Sequence, residues 1–183
     1  LINNEGNSGM KNDRFDVMFM SPGVENLSNE IQILSSRPVL QRVTRNLELA
    51  TRYYNIGKIR TTLLYPQSPI ILKMLGPDNQ EDPFGLQITV LNENQFEIGK
   101  KPKHYVFGEP IDIGGNKIVI FRNPNLPLNG YGSLDFYLSH KSPALVANEY
   151  MGSLKISQSS DQSTILLLSF STENKDLGKD FLD

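Results

Sequence analysis

The sequence predicts an α+β fold: a mixed, mainly antiparallel sheet with helices packed on one face. Three observations carry this. Apolar residues recur at helical spacing in the stretches 28–49 and 142–151. Between and after them lie short runs rich in Ile, Val, Thr and Tyr, bounded by turn residues. Asn and Gly stand where several of those runs meet, and they tolerate the left-handed backbone that tight hairpins need.

Taken in order, residues 3–13 are rich in Asn, Gly, Lys and Asp, so 1–16 is expected to be a flexible N-terminal segment and 17–183 the folded domain. Ser21-Pro22-Gly23 reads as a turn. In 28–49, Ile31, Leu34, Val39, Val43 and Leu47 line one helical face, with Glu30, Gln32, Arg42, Arg45 and Glu48 mostly between them. Asn26 or Ser28 is placed to cap its start. Pro38 lacks an N–H and crowds the carbonyl four residues back, which predicts a bend or break near Ser36-Arg37.

Strand-like runs follow at 51–56, 59–64, 69–75, 86–91, 95–98, 105–107 and 117–121, and they read as a β meander with turns at 55–58, 92–94 and 114–116. A loop marked by Pro124, Pro127, Gly130 and Gly132 precedes a strand at 134–138. Ser142 is a suitable N-cap with Pro143 at the first helical position, and Leu145, Val146, Tyr150 and Met151 form the apolar side of that helix. A strand at 154–157, a turn around 159–163 and the most apolar strand, 164–170, lead to a last capped helix start at 171–174.

At 183 residues the chain can bury a real core, and 38% hydrophobic with 21% charged residues is a globular composition. The net charge is −2 with Lys and Arg scattered, so no basic stripe is present for nucleic acid. Zero cysteines exclude a disulfide, a thiolate metal site and a Cys nucleophile. No run approaches the roughly 20 apolar residues that cross a bilayer. The start at Leu1, without Met or a leader, is expected to mark a piece of a longer protein.

Candidate chemical groups are sparse. His104 and His140 lack a second ligand at helical spacing, and Ser139-His140 lies in no Gly-x-Ser-x-Gly turn, so both read as structural or surface histidines. Gly114-Gly115 reads as a hairpin turn, and no phosphate-cradling loop is present. The carboxylate pairs Glu81 with Asp82 and Glu173 with Asp176 fall in a Pro-rich loop and at a helix start, where acids are ordinary. Asn26-Leu27-Ser28 matches a sequon that capping explains equally well. Tyr53, Tyr54, Tyr105, Tyr131 and Tyr137 are expected to fill sheet faces, with weak glycan contact as their functional reading. No catalytic, cofactor-binding or metal-ligating residue is assigned, and no cofactor is expected.

The run Asn29-Glu30-Ile31-Gln32-Ile33-Leu34-Ser35-Ser36-Arg37-Pro38-Val39-Leu40, then Val43 and Leu47-Glu48-Leu49, resembles a segment of the polysaccharide co-polymerase, or chain-length-determinant, family. Tyr53-Tyr54 with Gly57, Ile59-Arg60-Thr61-Thr62 with Leu64-Tyr65, and Ser68-Pro69-Ile70 are most similar to the outer loop of its tyrosine-autokinase members. Near the C-terminus, Ser153-Leu154 with Ile156, and Ile165, Leu167, Leu168, Ser169 and Phe170 resemble the family's return to a membrane-proximal α/β base. The resemblance covers the chain from about Val17 onward.

It implies a periplasmic domain, the extracytoplasmic loop of a bacterial inner-membrane protein, cut before the family's long helix. It further implies self-association in the full-length protein, partnership with the polysaccharide polymerase and export machinery, and a part in controlling the length of capsular or exopolysaccharide. No chemistry is expected in this chain; the family's tyrosine-protein kinase activity belongs to a cytosolic domain with no matching residues here. The rival expectation is a secreted or periplasmic carbohydrate-binding module.

Overall fold

The computed structural model describes residues 22–76, 83–99, 103–160 and 163–183. The segment 1–16 and the pair Glu81 and Asp82 lie outside the described residues. Helix α1 spans Pro22–Leu34, an earlier start than the sequence reading allowed. Pro22 opens a helix rather than a turn because its missing N–H is one of the donors a first turn leaves unpaired anyway. Asn26 and Ser28 are therefore interior, not capping. The helix stops where Pro38 predicts: Ser36 is extended (φ −71°, ψ 146°) and α2, Arg37–Asn46, begins with the proline in its first turn.

Eleven described strands follow, with two more helices. They are β1 (Thr51–Ile56), β2 (Thr61–Leu64), β3 (Ile70–Met74), β4 (Phe84–Val90), β5 (Gln95–Ile98), β6 (His104–Val106), β7 (Pro110–Ile113), β8 (Asn116–Arg122) and β9 (Asp135–His140). Helix α3 (Pro143–Met151), β10 (Leu154–Gln158), β11 (Leu166–Phe170) and α4 (Lys175–Leu182) complete the chain. The cap expected at Ser142 forms, its Oγ accepting from Leu145 N at 3.4 Å, and the helix start expected at 171–174 is capped by Asn174, whose Oδ1 accepts from Leu177 N at 2.9 Å. Gly114 (φ 60°) and Gly115 (φ 85°) make the β7–β8 turn, with the paired positive φ that such a hairpin demands.

The meander holds only in pieces. Six strands pair in the order β2-β1-β9-β4-β5-β6, three in the order β3-β8-β7, and β10 pairs with β11 alone. Every pairing among the described residues is antiparallel. Strand β9 returns from far along the chain to lie between β1 and β4, a long-range closure no local signal announces. β7 was not anticipated either, since Glu109-Pro110 and Gly114-Gly115 leave only a four-residue run between turn signals.

Side chains alternate across the large sheet, so its two faces differ. Tyr53, Leu64, Leu138, Phe136, Leu86, Ile88 and Phe96 share the face that meets Ile70, Leu72, Ile118 and Ile120 of the three-stranded sheet. Phe96, Ile88, Phe136 and Leu138 are fully buried there, each contributing about 1.5–3 kcal/mol through removal from water. Helices α2, α3 and α4 gather on the other face, over the β1–β2 end. Leu63 joins a second cluster with Leu40 of α2, Val146, Ala147 and Tyr150 of α3, and Leu177 and Phe181 of α4. Tyr150, Phe170 and Phe181 close it with three ring contacts, the Phe pair stacked at 4.0 Å. The fold is α+β with mainly antiparallel sheets.

Candidate functional site

A cleft of about 940 Å³ opens along the seam between the two clusters. One wall is the end of α2 and its exit, 44–50; the other is the β2–β3 connection, 65–68, with Asn123 and Asn125. The floor comes from the start of β1 and from β3. A seam between packed units is where concave ligand sites commonly form.

The α2 wall ends in a left-handed turn. Leu49 N donates to Thr44 O at 2.9 Å and Glu48 N to Arg45 O at 3.1 Å, the paired bonds of a Schellman motif. The position that glycine normally occupies is held by Glu48 at φ 53°. Leu49 then plunges into the second cluster and pins the exit. Thr44 Oγ1 donates to Gln41 O and Pro143 O, and Lys141 N donates to Ala50 O, which ties this wall to α3 and β9.

The opposite wall is clamped by Arg122 and Asn123. Arg122 Nη1 donates to Pro69 O at 2.8 Å and Asn123 O at 2.6 Å, and Nη2 to Leu126 O at 2.6 Å. Its Nε faces the Glu93 carboxylate at 3.1 Å as an ion pair, outside hydrogen-bond geometry. Asn123 Nδ2 donates to Ser68 O at 3.0 Å. On the floor, Tyr53 Oη accepts from Leu72 N at 2.9 Å. Burial pushes the Tyr53 hydroxyl pKa up, Leu72 opposes, and the Glu48 carboxylate adds to the rise, so Tyr53 stays neutral. At the rim, burial and the Asp180 carboxylate, hydrogen-bonded at 2.9 Å, push Tyr65 up to about 12.

Two surface features lie outside the cleft. On the helix-bearing face, Arg52 Nη2 meets Glu149 Oε2 at 2.6 Å while Lys141 Nζ donates to Glu149 Oε1. Tyr54 and Tyr137 sit beside this triad as a cross-strand pair, centroids 6.1 Å apart, with Gly85 leaving room for the Tyr137 ring. At the other feature, β11 and Ile165 just before it show apolar side chains to solvent: Ile165 is 63%, Leu167 54% and Leu168 40% exposed.

No family model and no curated protein matches the chain. The candidates read from sequence therefore rest on geometry. His104 pairs with Glu97 at 2.8 Å on the outer face of β6, whereas His140, on the inner face of β9, has Nδ1 2.8 Å from Thr51 Oγ1 and its ring against Phe84. Three strand positions separate them, and they do not converge. Asp176 lies in the first turn of α4, beside the Asn174 cap. Tyr105 and Tyr131 pack on Phe96 and Phe136 as core aromatics, Tyr54 and Tyr137 sit on the outer face, and only Tyr53 of the five lines the cleft. Among the described residues no His, Asp and Glu cluster is arranged to hold a metal, and no helix is long and apolar enough to cross a membrane.

Sequence reasoning missed Glu48, Gln67 and Asn125 as parts of one cleft, and Arg122 as the residue that ties its wall together. The one available signal was a helix that must stop at Asn46-Leu47-Glu48 without a glycine.

Proposed function

We propose that this chain is the extracytoplasmic assembly domain of an inner-membrane polysaccharide co-polymerase of the tyrosine-autokinase type. In that role it helps control the length and export of capsular or exopolysaccharide. It works by contact with neighbouring copies and with the polymerase and export machinery, and carries no chemical step itself. A kinase activity, where the full-length protein has one, resides in a cytosolic domain outside this chain. The resemblance around Asn29–Leu40 and Tyr53–Ile70 supports the family.

The observation that carries the assembly role is β11. From Thr164 to Thr172 the sequence has no charged residue and no proline, and the strand pairs only with β10 among the described residues. Natural edge strands are usually blunted by Lys, Pro or a bulge, because a bare edge recruits further strands. A neighbouring copy covering Ile165 and Leu167 removes that exposed apolar surface from water. The carbohydrate-binding-module alternative gives this strand no role.

Ile165→Lys with Leu167→Lys tests the reading in the full-length membrane protein. Both side chains are more than half exposed, so folding should change by less than about 0.5 kcal/mol. The expected result is loss of chemical crosslinking between copies and an altered polysaccharide length distribution on gels. Unchanged crosslinking and unchanged lengths in a folded, membrane-inserted variant overturn it.

A further inference from the structure

We propose that the seam cleft binds a segment of an acidic saccharide chain. A sugar ring presents an apolar face and a rim of hydroxyls, and the cleft offers the complement of both. Its lining includes Tyr53 and Leu64 on the inner side of the edge strand β3 and Ile71 on the outer side of that strand, aromatic and aliphatic surface with one hydroxyl. Around it stand Arg45, Glu48, Gln67, Lys73 and Asn125, all exposed. The two amides both donate and accept, and the carboxylate accepts, as vicinal hydroxyls require.

The charge balance selects the acidic class. Arg45 and Lys73 line the cleft with Glu48 as the one carboxylate among the lining residues, and neither cation forms an ion pair among the described residues. Lys73 lies 5.6 Å above the Phe121 ring, which steadies it without neutralising it.

Glu48 is the second pointer. An L side chain in the left-handed region is disfavoured relative to the right-handed one, and glycine avoids most of that cost. A carboxylate at that strained position, on a cleft wall, fits a side chain that serves contact rather than the turn. The walls are pre-set as well: Arg122 and Asn123 tie 123–126 to 68–69, and the Thr44 and Lys141 bonds tie 44–50 to α3 and β9. Little ordering remains to oppose binding.

This inference goes beyond the assembly reading and fails separately from it. Saccharide binding is measured on the isolated chain, crosslinking and polymer length on the membrane protein. The experiment is an amide chemical-shift titration of the 183-residue chain with tetragalacturonate and, in parallel, maltotetraose. Tetragalacturonate is expected to shift the amides of 44–50, 65–68 and 123–125, and to bind about tenfold more tightly than maltotetraose. Arg45→Ala and Lys73→Ala should each weaken it severalfold, and raising ionic strength should weaken it further. Glu48→Gly should weaken it too while the melting temperature holds or rises, which separates recognition from folding. Absence of shifts at millimolar saccharide, equal binding of maltotetraose, or indifference to all three substitutions overturns the proposal.

Discussion

Glu149 accepts from Arg52 Nη2 at 2.6 Å and from Lys141 Nζ, where β1, the end of β9 and α3 converge. Burial alone would raise its carboxyl pKa, but the two cations outweigh burial and hold it below the ordinary 4.5. A carboxylate with a lowered folded pKa adds stability above its unfolded pKa and loses it as pH falls through the folded one. The Glu149 side chain is 37% exposed, so solvent screens the gain and it stays small. Glu149→Gln is therefore expected to melt slightly lower than the parent chain at neutral pH. The gap should close as pH drops below 4.5. Melts recorded along that acid series check it, and a gap that persists at the acid end would show that Glu149 acts through packing instead.

The α1–α2 break illustrates how far one residue governs an element. Pro38 stands exposed in the first turn of α2, a position that needs no N–H, so Pro38→Ala should cost less than about 1 kcal/mol. The face of α2 is set by what it meets. Sequence spacing pointed to Leu34, Val39 and Val43 against the sheet, yet Leu40 and Thr44 are the fully buried positions and α3 is the principal partner. The restart after Ser36 rotates the register relative to one continuous helix, which moves the buried stripe by one position. Leu40→Ala should then cost about 2–5 kcal/mol, because the cavity it leaves lies between packed helices. Chemical denaturation of both variants settles the assignment: equal small losses would mean that α2 does not bury Leu40 as described.

At the scale of the molecule, the two hydrophobic clusters share backbone. β1 follows directly from α2 and β9 leads directly into α3, so strands buried in the sheet cluster carry the helices of the other. Phe136, fully buried in the sheet cluster, tests the coupling. Phe136→Ala should cost about 3–5 kcal/mol and lower the unfolding midpoint of helix and sheet together. Hydrogen exchange that weakens in β4 and β9 while α3 and α4 keep full protection would show two independent units.

Local chemistry sufficed for much of this chain. Most strand runs, the Ser142 cap, the capped helix start at 171–174, the Gly114-Gly115 turn and the break before Pro38 are written in short-range propensities, and they formed at or within a few residues of where the sequence placed them. The division into three sheets was not legible, because inserting β9 between β1 and β4 depends on contacts between residues 46 to 89 positions apart that no local pattern encodes. The cleft was hidden for the same reason. Glu48, Gln67 and Asn125 are ordinary polar residues in separate loops, and they become one surface only when Arg122 and the Schellman turn of α2 fix those loops against each other.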